Sequence, residues 1–369
     1  MHVYFCAALD GVTCDDSTCP CGAWIRSAGA KASKKKGRKK APPSGHVSFP
    51  ARAQDEAVLD ALGRSKPSGG TGRPDGWADF PVHAWRTPEA FELGFSTLCP
   101  TVRAALAAAD EPVAIATADG GWRRELSVFT FADGLQTVRV RPRTTAPWAD
   151  YADLRDAMLD IIGDRRQPLL ARLADIAAIT ATVVEHKGVP PELPTFTARS
   201  FLAWRGFLEA RAAAANPKKM AAFANKVAPL FESDAGLVKH KDAIAAALST
   251  DWRGILVERV ASAEREFSDA LENYLGARVF ALPVVRDVSL ARAYAEFYEA
   301  FAVGLRYLAA LCELHGRDAD AGLAVASMAL GEHFVNSSKQ KLAAFVPPPP
   351  SHDRAPRVAD VDMTLASIC

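Results

Sequence analysis

The sequence predicts a mainly α-helical protein: an irregular helical bundle, preceded by a small α+β segment with a three-stranded antiparallel meander and by a disordered basic N-terminal tail. Three observations carry that expectation. Large apolar residues recur every three or four positions over most of residues 147–346. Between Pro112 and Arg141 the period falls to two, punctuated by Asp119-Gly120 and Asp133-Gly134. Residues 1–76 are rich in Lys, Gly, Pro, Ser and Cys and carry few large apolar side chains. The expected organisation is therefore a tail and linker over 1–76, an α+β segment over 77–146, a helical bundle over 147–346 and a Pro-rich tail over 347–369.

The tail begins with four of the seven cysteines, Cys6, Cys14, Cys19 and Cys21. Four thiolates complete a tetrahedral zinc site, and His2 could replace one of them. There is no Cys-x-x-Cys knuckle, so the competing reading is a loose terminus without metal. An odd cysteine count and no basic start to the apolar opening residues point to a reducing, intracellular setting.

Next comes the densest charge in the chain. Lys31, Lys34, Lys35, Lys36, Arg38, Lys39 and Lys40 put seven cations in ten positions with no acid among them. Net charge is only +1, but residues 1–50 hold eight Lys and Arg against three Asp, while residues 51–369 hold 36 against 40. A block of like charges repels itself and has nothing apolar to bury. It reads as an arm that contacts nucleic-acid phosphates through counterion release, or as a nuclear address, in a nucleus or a virion. The rival is a solubilising linker. Residues 63–76, with Gly63, Lys66, Gly69, Gly70 and Gly72, are not a phosphate loop: Pro67 follows Lys66 directly, and no β run precedes.

The folded part is expected from Trp77. Pro88-Glu89 suggests a helix reaching Leu98, and three strands are expected at 113–118, 124–131 and 136–141. From Trp148 the pattern becomes helical, with helices expected over 148–162, 169–186, 196–214, 218–231 and 235–248. The C-terminal part carries the longest stripes. One runs from Asp251 to Leu275, a 25-residue helix about 37 Å long, with Gly276 as its stop. A second runs over 287–315, through Tyr294, Phe297, Tyr298, Phe301 and Leu305, ending at Gly316. A third covers 318–345, before Pro347 to Pro350 forbid continuation.

Chemistry is harder to read. Glu185-His186 and Glu332-His333 are adjacent, and Glu313 and His315 lie two apart, so none has the i, i+3 or i, i+4 spacing that turns two ligands to one face. Cys312 and His315 do share a face, but as core thiol and helix-end imidazole they need no site. The aromatic stripe of the second helix reads as core, with an apolar ligand pocket as the alternative. Nucleophile-elbow, zincin, EF-hand and dinucleotide motifs do not occur, nor does an apolar run long enough to span a membrane. The expectation is a non-enzymatic interaction or scaffold protein with protein partners, associated with nucleic acid through the basic arm. The alternative is an enzyme or small-ligand binder with its pocket between the helices of 251–345.

Overall fold

In the computed structural model the described residues are 137–188, 198–260, 264–285 and 289–337, with shorter pieces at 82–86, 91–95, 97, 103–104, 106–107 and 123–124. The protein is mainly helical, with a two-stranded antiparallel hairpin before the helices. Three N-terminal strands, β1 (Val82–Arg86), β2 (Phe91–Phe95) and β3 (Arg123–Arg124), form an antiparallel sheet in sequence order. β1 and β2 pair in register from Val82 opposite Phe95 to Arg86 opposite Phe91. The helix expected over Pro88 to Leu98 is thus a strand in its middle. The expected strand at 113–118 lies outside the described residues.

The strand expected at 136–141 is present as β4 (Thr137–Arg141), while residues 125–131 of the strand expected before it lie outside the described residues. β4 folds back on β5 (Thr144–Pro147) as an antiparallel hairpin. The reason is local. Arg141 pairs with Thr144, leaving Pro142 and Arg143 as a two-residue turn. Proline fixes φ near −65°, and Arg143 takes φ 70°, the combination of a type II turn. Val138 and Val140 point inward while Thr137 and Arg139 face solvent, as the alternation requires.

Helix α1 (Trp148–Gly163) starts directly after Pro147, and α2 (Leu169–His186) directly after Pro168. The end of α2 is closed by Lys187 at φ 59°, with Gly188 N–H donating to Val183 O at 3.2 Å. After α3 (Ala198–Ala214), Asn216 caps α4 (Pro217–Val227) by accepting from Lys219 N–H at 3.1 Å, with Pro217 at the first helical position. A 3₁₀ turn, Ala228–Phe231, leads into the single turn α5 (Glu232–Ala235). The long helix expected over 235–248 is absent. Gly236 at φ 54° ends α5, Glu232 Oε2 accepts Val238 N–H, and turns lead to the single turn α6 (Ile244–Ala247).

The 25-residue helix expected from Asp251 is two helices, α7 (Trp252–Arg259) and α8 (Glu264–Val285). Its ladder stops where Arg259 O is taken by Ala319 N–H at 3.2 Å. Gly276 does not stop α8: it is buried within it, and the packing of Leu271, Leu275 and Val279 outweighs the glycine's propensity cost of about 1 kcal/mol. Helix α9 (Leu290–His315) ends at Gly316, φ 59°, as expected, with Arg317 N–H closing onto Cys312 O. Asp320 Oδ1 then accepts Leu323 N–H at 2.8 Å at the start of α10 (Ala321–Ser337).

Helix α9 is the axis of the body. Every residue from Ala293 to Cys312 is buried, so it is not the one-sided amphipathic helix that its stripe suggests. It touches α2, α3, α6, α7, α8, α10 and β4. The approach of α10 is closest: a Cβ on Gly331 would lie against Ala300 O, 2.5 Å from Gly304 N and 2.8 Å from Gly304 Cα. Among the described residues no helix is long and apolar enough to cross a membrane.

Candidate functional site

A group of buried polar side chains lies where α8, α9 and α10 meet. Tyr274 and Arg278 are one turn apart on α8, and Glu332 and Asn336 one turn apart on α10. With Glu296, Phe297, Ala300 and Phe301 of α9 they line a concavity that encloses space for about one water.

Glu332 is the centre of this group. One carboxylate oxygen lies 2.7 Å from Arg278 Nη2; the other accepts from Tyr274 Oη at 2.9 Å and from Thr97 Oγ1 at 2.9 Å. Burial opposes its ionisation, yet the Arg278 charge, followed by His333 and the two hydroxyls, outweighs burial and holds the carboxyl down at about 2. Burial and the Glu332 charge push the Tyr274 phenol well above its ordinary value. Thr97 Oγ1 also lies 3.0 Å from His333 Nε2. The hydroxyl donates to Glu332, so it accepts from His333, which fixes the Nε2–H tautomer by inference from the network.

This order of donors decides the chemistry. An activated hydroxyl gives its proton to an imidazole; here it gives it to a carboxylate and receives one from the imidazole. Thr97 is 1% exposed, and Glu332 stays ionised at neutral pH. The group ties the segment after β2 to α8 and α10. Arg103 adds a second tie from the same segment: it donates to Thr97 O at 2.7 Å, to Leu230 O and to Asp234, with its guanidinium 3.8 Å above the Phe231 ring.

Two other buried charges, Arg172 and Arg306, are also matched internally. Arg172 Nη1 donates to Glu272 at 2.8 Å and to Ile162 O. Arg306 Nη1 donates to Ala212 O at 2.8 Å and Ala215 O at 2.6 Å, and Nη2 to Leu248 O at 2.8 Å. Its charge is met by the carbonyls around the ends of α3 and α6, a helix-dipole counterion rather than a carboxylate.

The residues singled out from the sequence fare differently. His315 and His333 do not converge on one cavity: His315 Nε2 meets Ala235 O at 3.0 Å and its ring packs edge-on against His240, 4.8 Å between centroids. Cys312 is fully buried, and burial together with Asp318 and Asp320 pushes its thiol up to about 12. Tyr294, Phe297, Tyr298 and Phe301 are buried core. Glu332 and His333 do act together, although sequence neighbours point about 100° apart on a helix. A hydroxyl from Thr97, 235 positions earlier, sits between them, and no local spacing announces it. Lys31, Lys34, Lys35, Lys36, Arg38, Lys39 and Lys40 lie outside the described residues, as do Cys6, Cys14, Cys19 and Cys21. Among the described residues no group of three or more His, Cys, Asp or Glu side chains is placed to hold a metal ion. Compared with known proteins, the chain matches no family model, no curated protein and no solved structure.

Proposed function

We propose that this chain is an interaction or scaffold protein, not an enzyme, that associates with nucleic acid through phosphate contacts of the basic arm from Lys31 to Lys40 in a nucleus or virion. The observation that carries the reading is seven cations in ten residues with no acid among them. The helical body supports it indirectly. Arg103, Arg172 and Arg306 are engaged within the fold, and Glu332 and His333 are held by Arg278, Tyr274 and Thr97. An arm with no positioned helix or strand contacts backbone without reading sequence.

The test is anisotropy with duplex DNA and with RNA over a salt series, comparing the full chain with a variant carrying glutamine at all seven positions. The arm predicts that the variant's log-log salt slope is shallower by about six. Equal affinity and slope would remove the proposal.

The second reading, a small-ligand binder or enzyme with its pocket between the helices of 251–345, has one observation in its favour: Arg278 and Glu332 line the concavity beside Phe297 and Phe301. It predicts that a ligand raising the melting temperature of the wild-type chain loses its effect in Phe301→Trp, which fills that space.

A further inference from the structure

The described body has a basic surface of its own. Lys218, Lys219 and Lys226 on α4 and Lys241 in the turn before α6 are exposed and have no acidic partner among the described residues. Lys239, 80% exposed, lies 3.9 Å from Glu232. Of the nearby acids, Asp234 is held by Arg103, and Glu232 accepts Val238 N–H as well as facing Lys239. Asp242 is the one exposed acid left on this stretch. Helices α4 and α6 pack against each other, and both are anchored on α9: Tyr307 Oη donates to Met220 O, and Arg306 to Leu248 O. Their inner sides are therefore fixed, and the lysines lie on the opposite, solvent side.

Two details separate this surface from an ordinary solvated face. Lys218 and Lys219 occupy the second and third positions of α4, beside the positive end of the helix dipole, where a cation costs about 0.3–1 kcal/mol and an acid is the usual choice. A placement that works against local stability marks a functional requirement more than a structural one. Lys219 and Lys226 are seven residues apart on one face, about 10 Å along the axis, so both reach solvent from the same side of α4.

We infer that the solvent face of α4, with the turn before α6, is a second phosphate-contacting surface that lies along the nucleic-acid backbone while the N-terminal arm holds the same molecule. The inference rests on the nucleic-acid reading above, but on different residues, so the two can fail separately. Exposed lysines that meet phosphate oxygens give affinity for backbone charge and no choice of sequence.

The test uses the full chain in four forms: wild type, the seven-glutamine arm variant, a surface variant with Lys218→Gln, Lys219→Gln, Lys226→Gln and Lys241→Gln, and the combination. All four substituted surface lysines are exposed, and circular dichroism confirms the fold. Each is titrated with a duplex and with an unrelated duplex of equal length. The surface variant is expected to weaken binding equally for both and to make the salt slope shallower by about four, one per lysine. If the surface variant matches wild type while the arm variant loses binding, the surface is refuted and the arm stands. Loss in the surface variant alone refutes the arm and supports the surface. No binding by wild type overturns both. Vesicles of anionic phospholipid and a poly-glutamate peptide are titrated in parallel. Lysine-dependent binding to either of these, without duplex binding, overturns the assignment of nucleic acid.

Discussion

Replacing Gly331 with alanine adds one methyl group, and the structure says where it goes. That carbon would press against Ala300 O and lie 2.5 Å from Gly304 N and 2.8 Å from Gly304 Cα. All three are backbone atoms of the buried middle of α9, so no side chain can swing away, and α10 must retreat by roughly the missing van der Waals distance. Overpacking costs about 1–3 kcal/mol, with the upper end expected where backbone meets backbone. Alanine returns about 1 kcal/mol of helix propensity, leaving a net loss of about 2 kcal/mol. For a body of this size that lowers Tm by roughly 4–8 °C. Urea unfolding followed by circular dichroism reads the difference directly. Gly206→Ala is the matched control: the same methyl, in α3, meets nothing within 4 Å and should stabilise by about 1 kcal/mol. If Gly331→Ala is as stable as wild type, the close crossing of α9 and α10 is wrong.

Three further outcomes follow from buried charge. Arg306→Met removes three hydrogen bonds to Ala212, Ala215 and Leu248 carbonyls and should cost about 2–4 kcal/mol in urea unfolding; a neutral result would mean those carbonyls find water instead. The carboxyl of Glu332 is held below its unfolded value, so its contribution is complete above about pH 5 and is lost as pH falls toward 2. Wild type should therefore lose up to about 3 kcal/mol more than Glu332→Gln over that window, and parallel curves would contradict the Arg278 pairing. Asp175 has the opposite sign: burial raises its carboxyl to about 6, so ionisation on going from pH 4 to pH 7 destabilises the fold. Because the group is only partly buried, Asp175→Asn should gain about 1 kcal/mol at pH 7 and nothing at pH 4, a gain that a pH-independent result would exclude.

The helices that proline, glycine and apolar spacing bracket were legible in the chain. Leu169–His186 lies between Pro168 and Lys187-Gly188, and α9 ends at Gly316, because those stops act within a few residues. Where tertiary contact overrides local preference, the pattern misled. Gly276 looks like a terminator but is carried through by packing, and the stripe from Asp251 hides a break made by Ala319, some 60 positions away. The β4–β5 turn was missed because Arg143 adopts a positive φ that a glycine would have announced. The polar cluster was illegible for a different reason. Its members come from residue 97, from α8 and from α10, and only the fold brings Thr97 between two neighbours on one helix. In the α9 stripe, periodicity showed the buried aromatic face but not that Glu296, Glu299 and Arg306 on the other faces are buried too.

The position of α9 in the chain sets the order in which the body can be made. The helices from Trp148 to Val285 are all translated before the element they enclose, and at 5–20 residues per second the delay from the start of α1 to the start of α9 is on the order of ten seconds. During that interval Leu170, Leu173, Phe201, Trp204 and Met220 have no axis to close on. A nascent chain stalled before Leu290 is thus an assembly of helices without a centre, a client for chaperones. The packing that closes the body is therefore complete only once α9 and α10 have joined the helices made before them.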